Sequence, residues 1–221
     1  MKLAYPEIES VIKFNNGTFP ALVIENPSLF FRFIDDLHHQ SCGEDGPVVL
    51  SVDEKPIPVP GNLDLITDFF SFEINQKTLL NKILAKMETP AMNQEFYERS
   101  QQILGSIEKL IYDFAFQNDL ELVPERLSIS SLLKSAGIQL KEDYPDLAEK
   151  LLVYMDLMND NGLASVFVFV NLRSVLDDAA LELFTESCCR KENNILLIDN
   201  KVYKKLSREE RLLIDNDLCE I

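Results

Sequence analysis

Between Ser165 and Asp199 the chain reads SVFVFVN, then a stretch with helical patterning, then NILLID. An unbroken run of β-branched and aromatic residues has no polar face to turn to water, so each run suits a strand covered on both sides. A strand, a helix and a second strand in that order imply a parallel crossover, which places the chain in the α/β class. The intervening helix is signalled by Ser174 with Asp177, an approximate capping box ahead of Ala180, Leu181 and Phe184. Upstream, Leu147, Leu151, Leu152, Met155 and Met158 recur at helical spacing until Gly162, and downstream Ser207 with Glu210 predicts a last short helix by the same cap logic.

The N-terminal residues read as short strands and one helix. Asn15, Asn16 and Gly17 are strong turn residues between Val11–Phe14 and Thr18–Val23, which predicts a hairpin. Asn26 offers an N-cap with Pro27 at the first helical position, and Leu29, Phe30, Phe33, Ile34 and Leu37 recur at helical spacing until Gln40. Val48 to Val52 reads as a buried strand. The cluster Pro56, Pro58, Pro60 and Gly61 then interrupts regular structure and marks a boundary.

From Leu63 to about Leu140 the pattern changes to long helices. Leu79, Leu80, Ile83, Leu84 and Met87 form one apolar stripe. Phe96, Ser100, Ile103, Leu104, Ile107, Leu110, Ile111 and Phe114 form a second, spanning about six turns. Two helices with one stripe each are expected to pack antiparallel, with the reversal near Pro90. Ile129, Leu132, Leu133 and Ala136 make a shorter helix that Gly137 stops. The organisation expected is therefore a mixed α/β head built from residues 1–62 and 142–221, with a helical leg inserted at 63–141.

Composition excludes several classes. With 46% hydrophobic and 26% charged residues in 221, the chain is neither disordered nor membranous in character. No apolar run approaches the roughly 20 residues that span a bilayer, and the N-terminus has no basic then apolar leader. No membrane association and a cytoplasmic location are expected. Cys42, Cys188, Cys189 and Cys219 form no C-x-x-C pair, and the adjacent pair reads as packing residues. A net charge of −16 opposes simple adhesion to nucleic acid, because neutralising phosphates takes clustered Lys and Arg.

Enzymatic signatures are missing. The two histidines, His38 and His39, are adjacent at a helix end where their side chains diverge, and that position suits a solvated helix C-terminus. The chain contains no G-x-x-x-x-G-K-[ST] phosphate loop. Asn171 follows the first buried run where a magnesium-dependent hydrolase would carry an acid, and asparagine there reads as a turn residue. With 37 acids in the chain, paired carboxylates such as Asp35 with Asp36 or Asp177 with Asp178 carry no specificity.

Leu65 to Glu88 (LITDFFSFEINQKTLLNKILAKME) sets a short apolar run, a polar turn around Asn75 and an amphipathic helix in one order. Leu120–Leu140 (LELVPERLSISSLLKSAGIQL), the two buried runs, and Arg211–Ile221 (RLLIDNDLCEI) follow it. In this order the segments resemble the type II-A CRISPR-associated adaptation accessory protein, the Csn-two family, over nearly the whole chain. No single motif is specific; the succession is.

The resemblance implies a head like a degenerate P-loop ATPase core, no catalysis and no nucleotide. It implies a homotetrameric ring with an acidic exterior and a basic channel that threads linear double-stranded DNA by its ends during spacer acquisition, alongside the CRISPR integrase complex and the effector nuclease of the same operon. It also implies calcium ions stiffening the hinge between leg and head. The acidic stretch after the long helix, Asp119, Glu121 and Glu125, falls at the matching place, although Pro124 interrupts it. Candidate phosphate contacts are Lys77, Lys82 and Lys86 on the leg, and Lys201, Lys204, Lys205, Arg208 and Arg211 near the C-terminus; contacts of this kind bind without reading sequence. The alternative is a protein-interaction scaffold, or an inactive nucleotide-binding regulator, with no affinity for nucleic acid.

Overall fold

A computed structural model describes residues 1–91, 93–122 and 127–221; the side chains of 89–91, 94 and 95 are not described. In chain order the elements are β1 (Lys2–Tyr5), β2 (Ile8–Lys13), β3 (Phe19–Ile24), α1 (Pro27–Ser41), β4 (Val49–Val52), β5 (Lys55–Ile57), β6 (Leu63–Ile66), α2 (Lys77–Ala91), α3 (Gln94–Gln117), α4 (Ile129–Ser135), α5 (Leu147–Asp160), β7 (Val166–Val170), α6 (Asp178–Arg190), β8 (Asn194–Asp199) and β9 (Glu209–Ile214). They gather into two compact units, Met1–Glu73 with Glu142–Ile221, and Ile74–Lys141. No helix among the described residues is long and apolar enough to cross a membrane.

The first unit is mixed α/β. Its larger sheet has the order β6-β7-β8-β3-β9, with every adjacent pair parallel. The two apolar runs are its inner strands: every residue of β7 is buried, and β8 is buried from Ile195 onward. The capped helix α6 lies between them in sequence, as the crossover requires. A smaller antiparallel sheet, β2-β1-β4-β5, carries the N-terminus. Leu3, Leu22, Ile24, Phe33, Leu37, Leu50, Val168 and Ile198 contribute to one core shared by strands of both sheets and α1.

Local signals hold where they concern helix ends. The Asn26 side chain accepts from the N–H groups of Ser28 and Leu29 at 3.1 Å, and Pro27 opens α1. Asp146 caps α5, while Gly162 (φ +61°) and Gly137 (φ +62°) take the left-handed backbone that ends a helix cheaply only for glycine. At α6 the cap is Asp177, which accepts from Ala180 N–H at 2.8 Å, and Ser174 instead donates to the Asn171 carbonyl.

Tertiary partners overturn four expectations. The segments flanking Asn15–Gly17 form no hairpin: β2 pairs with β1, and β3 enters the parallel sheet between β8 and β9. The reason is burial, since all six residues of β3 are buried whereas β2 buries only Ile8 and Ile12. The residues after Ser207 form strand β9 rather than a helix, because Glu209–Ile214 pairs along the full length of β3. Pro56 does sit in a strand, but β5 is the edge of its sheet, where a missing N–H costs little. Leu63–Ile66 is also a strand, paired with β7, so the first unit continues past the proline cluster to Glu73.

In the second unit, α2 buries Leu79 and Leu84, α3 buries Leu104 and Ala115, and α4 is capped reciprocally by Ser128 and Ser131. The helix α2 runs through Pro90 to Ala91. The α3 stripe splits: Leu104 is buried and Ser100, Ile107 and Ile111 are half-buried, but Phe96, Ile103, Leu110 and Phe114 are 45–56% exposed. An eight-residue stripe on a straight helix is wider than the face its neighbours in this unit cover.

Candidate nucleic-acid interface

Strands β8 and β9 both run parallel to β3, so the chain leaving Asp199 must travel back along the sheet before Glu209 can start the next strand. Residues 200–208 make that return without a helix. Their sequence, NKVYKKLSR, carries Lys201, Lys204, Lys205 and Arg208 and no acid, and all four cations are exposed. Leu206, 6% exposed, is the apolar anchor.

Arg173 is the post around which the loop is wound. It sits on a 3-10 turn, Leu172–Ser174, that follows β7, and its side chain is 4% exposed. Its Nη1 donates to the Lys204 carbonyl at 2.9 Å, and its Nη2 to Glu209 Oε2 at 2.7 Å. Its Nε lies 2.9 Å from Asp199 Oδ2 but is not aligned for a hydrogen bond, so that pairing is Coulombic and the Asp199 carboxylate receives no hydrogen bond among the described residues. Glu209 Oε2 also accepts the Leu206 N–H at 2.9 Å, and Oε1 accepts from Arg211 Nε. The Tyr203 ring lies 5.7 Å from the Arg173 guanidinium and 5.0 Å from Lys201 Nζ, a cation on each count.

Electrostatics follow from burial. Burial pushes the Asp199 carboxyl up to about 6, against the opposing pull of Arg173. Burial would also raise Glu209, but hydrogen bonds from Arg211, the Leu206 N–H and Arg173 outweigh it and hold the carboxyl below the usual range. Farther along the loop, the Ser207 hydroxyl and N–H donate to Glu182 Oε1, Arg208 Nη1 donates to the Gly17 carbonyl at 3.1 Å, and the Arg208 carbonyl accepts from Phe19 N–H. The backbone is thus tied at Lys204, Leu206, Ser207 and Arg208, while the charged ends of Lys201, Lys204 and Lys205 reach solvent.

Of the residues expected at an interface, the structure collects Lys201, Lys204, Lys205 and Arg208 on this loop. Arg211 does not join them: its side chain is 15% exposed and engaged with Glu209. Lys77, Lys82 and Lys86 are exposed on α2 in the other unit. At about 100° per residue, Lys82 and Lys86 share a face and Lys77 lies about 140° from Lys82. Arg173 carries no signal in sequence, because an arginine is recognised as buried only through acids that the fold brings to it.

The expected calcium ligands fare differently. Asp119 and Glu121 are exposed in the turn after α3, Asp119 with φ +52°, and Glu125 lies outside the described residues. Calcium takes six to eight oxygens. Two carboxylates are fewer than such a site takes and the third expected ligand lies outside the described residues, among which no group of three His, Cys, Asp or Glu stands together.

The remaining candidates are structural. Asn171 adopts the left-handed backbone (φ +56°) and its Oδ1 accepts from Asn200 N–H. His39 pairs with Glu44 at 3.1 Å, a hydrogen bond that raises its pKa. Cys188 and Cys189 are buried on α6, and burial pushes both thiols up.

Two solved structures, a metal-chelate type ABC transporter facing inward and a nucleotide-free ATP-binding cassette from an ABC transporter, align with TM-scores of 0.37 and 0.38 at 12% and 10% identity. The alignments cover 92% and 91% of this chain, and 71% and 82% of those chains. At such scores they carry no argument about this molecule. In sequence, a CRISPR-associated protein Csn2 of Streptococcus agalactiae is 21% identical over 218 residues, covering 98% of this chain and 96% of the relative. Residues 40–218, which run from the end of α1 through the leg to the turn after β9, match the family model described as CRISPR-associated protein (Cas_Csn2), and the chain belongs to that family.

Proposed function

We propose that the protein is a non-catalytic, sequence-independent binder of double-stranded DNA ends that acts in CRISPR spacer acquisition, as a homotetrameric ring around linear duplex. The observation that carries the reading is the loop 201–208: four exposed cations, no acid, and a backbone tied to the parallel sheet, in a chain whose net charge is −16. An acidic protein that spends four of its cations on one fastened loop concentrates positive potential where phosphate oxygens can use it. Membership in a CRISPR-associated family supplies the setting. Assembly multiplies the effect, since each copy adds its own loop to one duplex and modest contacts accumulate as avidity.

The test compares linear with covalently closed duplex in a mobility-shift titration at several salt concentrations, with light scattering for oligomeric state. A threaded ring needs an end and retains only linear DNA at moderate salt. Replacing Lys204 and Lys205 together by alanine lowers the slope of log affinity against log salt by about one for each phosphate that the lysines had neutralised. Equal retention of closed circles rejects threading. Absence of any shift at low salt rejects DNA binding and favours the scaffold reading that the overall acidity supports.

A further inference from the structure

We infer that Arg173 is a positioning residue for this interface: its buried guanidinium holds the 200–208 loop so that Lys201, Lys204, Lys205 and Arg208 form one fixed array for phosphate oxygens. The inference rests on reading the loop as a DNA contact, but its mechanical half stands apart from that reading.

The geometry assigns the role to Arg173 and not to the loop itself. Residues 200–208 have no strand or helix ladder of their own, so their backbone must find partners elsewhere. Arg173 Nη1 supplies the Lys204 carbonyl with its donor, midway through the loop. Through Glu209, the same guanidinium fixes the carboxylate that takes the Leu206 N–H. Its charged carbon lies 5.7 Å from the centre of the Tyr203 ring, and the Lys201 ammonium lies 5.0 Å from the same ring. One side chain therefore touches, directly or through one neighbour, the supports of Lys201, Lys204 and Lys205. Arg208 has separate ties to Gly17 and Phe19.

A forked donor is needed for this work. Two guanidinium nitrogens donate, to the Lys204 carbonyl and to Glu209, while the third lies 2.9 Å from the Asp199 carboxylate, and a lysine ammonium at one point cannot reach all three. An ordered array gains affinity because the cations lose less freedom when they meet the duplex.

Two variants test the inference. Arg173→Lys keeps the charge and loses the fork, while Arg173→Met with Asp199→Asn removes an opposite pair together, so that neither leaves a new lone charge in the core. Hydrogen exchange in the full chain reads the loop directly. The expected result is exchange of the Leu206 amide, whose acceptor Glu209 the guanidinium fixes, at least tenfold faster in both variants, with β7 and β8 amides unchanged. Unchanged loop exchange in both overturns the positioning role, whatever the protein does with DNA.

Binding to linear duplex across a salt series reads the consequence. In both variants affinity falls about tenfold and the salt slope becomes shallower, approaching that of the Lys204→Ala, Lys205→Ala double variant. A mere loss of folded protein lowers the active fraction without changing that slope. If the lysine variant loses affinity while the Arg173 variants keep both affinity and slope, the positioning role is overturned and the DNA reading stands. If the lysine variant binds like the wild type, the reading of the loop fails instead, and the exchange result alone decides what Arg173 holds.

Discussion

At the scale of single residues, the most committed polar side chain outside the loop is Gln40. It is 7% exposed at the end of α1, donates from Nε2 to the Val48 carbonyl at 3.0 Å and accepts the Val48 N–H at 2.7 Å. Its amide thus satisfies both backbone groups of a buried residue just ahead of β4. Gln40→Leu leaves that N–H and carbonyl unpaired, and we expect a loss of about 2–4 kcal/mol in urea unfolding. The same clamp explains Gly46, where an added Cβ would come within 2.5–2.6 Å of the Gln40 side chain. Gly46→Ala should therefore destabilise the native protein by about 1 kcal/mol or more, yet be nearly neutral in a Gln40→Ala background, a non-additivity that a double-mutant cycle measures directly. Asp199 gives a pH signature. Its folded pKa, about 6, lies above its unfolded value, so between about pH 4 and 6 the native state holds the proton more tightly. The stability it contributes is present at pH 4 and is lost as pH rises through 6. The advantage of wild type over Asp199→Asn should accordingly shrink by about 1–3 kcal/mol between pH 4 and 7; a difference that is flat, or grows, rejects the assignment.

At the scale of elements, helix ends are written locally and strand partners are not. Asn26 with Pro27, Gly137 and Gly162 act where sequence places them, because a cap needs only residues within a turn of it. Asn15–Gly17 has equally good local chemistry for a hairpin, but a strand buried on both faces belongs inside a sheet, and the unbroken FPALVI of β3 has no polar face to leave at a hairpin's surface. The pair Ser207 and Glu210 imitates a capping box for the same reason: spacing alone cannot tell a helix start from a loop entering an edge strand. The site divides likewise. The cation run at 201–208 is legible as composition, whereas Arg173 becomes visible only when the fold brings Asp199, Glu209 and Tyr203 around it. Element-scale energetics are clearest on α3, where Leu104 faces inward at 7% exposure and Ile103, its neighbour, is 45% exposed. Leu104→Ala should cost about 2–4 kcal/mol, while Ile103→Gln should cost under about 1 kcal/mol. Thermal and urea unfolding of the two variants check the expectation, and equal losses would show that the stripe is covered on both sides.

At the scale of the whole molecule, Ile74–Lys141 is a single insertion into a fold whose two halves otherwise meet. Each unit closes its own side of the junction. In the first, Lys150 Nζ donates to the Phe72 carbonyl and lies 2.9 Å from Glu142 Oε2 and 5.5 Å from the Phe72 ring, so the outgoing and returning chains are held by one side chain. In the second, the Asn75 side chain pairs with both backbone groups of Leu140, at 3.0 and 2.7 Å. An insertion whose ends already meet can be removed without stretching the host, and closing a short loop costs less entropy than closing a long one. The core that would remain keeps its strands, because β6, the last strand before the insertion, pairs with β7, the first after it, and no described residue of the excised segment belongs to either sheet. We therefore expect a chain with residues 74–141 replaced by a short Gly/Ser linker to unfold in one cooperative urea transition, with its 196–198 and 166–169 amides as protected as in the full protein. Lys150→Ala should weaken that shortened protein by about 1–2 kcal/mol, since it takes a donor from the Phe72 carbonyl and a cation from beside Glu142 at once. A shortened chain that lacks protected β7 and β8 amides would mean that the helical segment supplies folding energy the first unit cannot do without, and that the two units are not separate in stability.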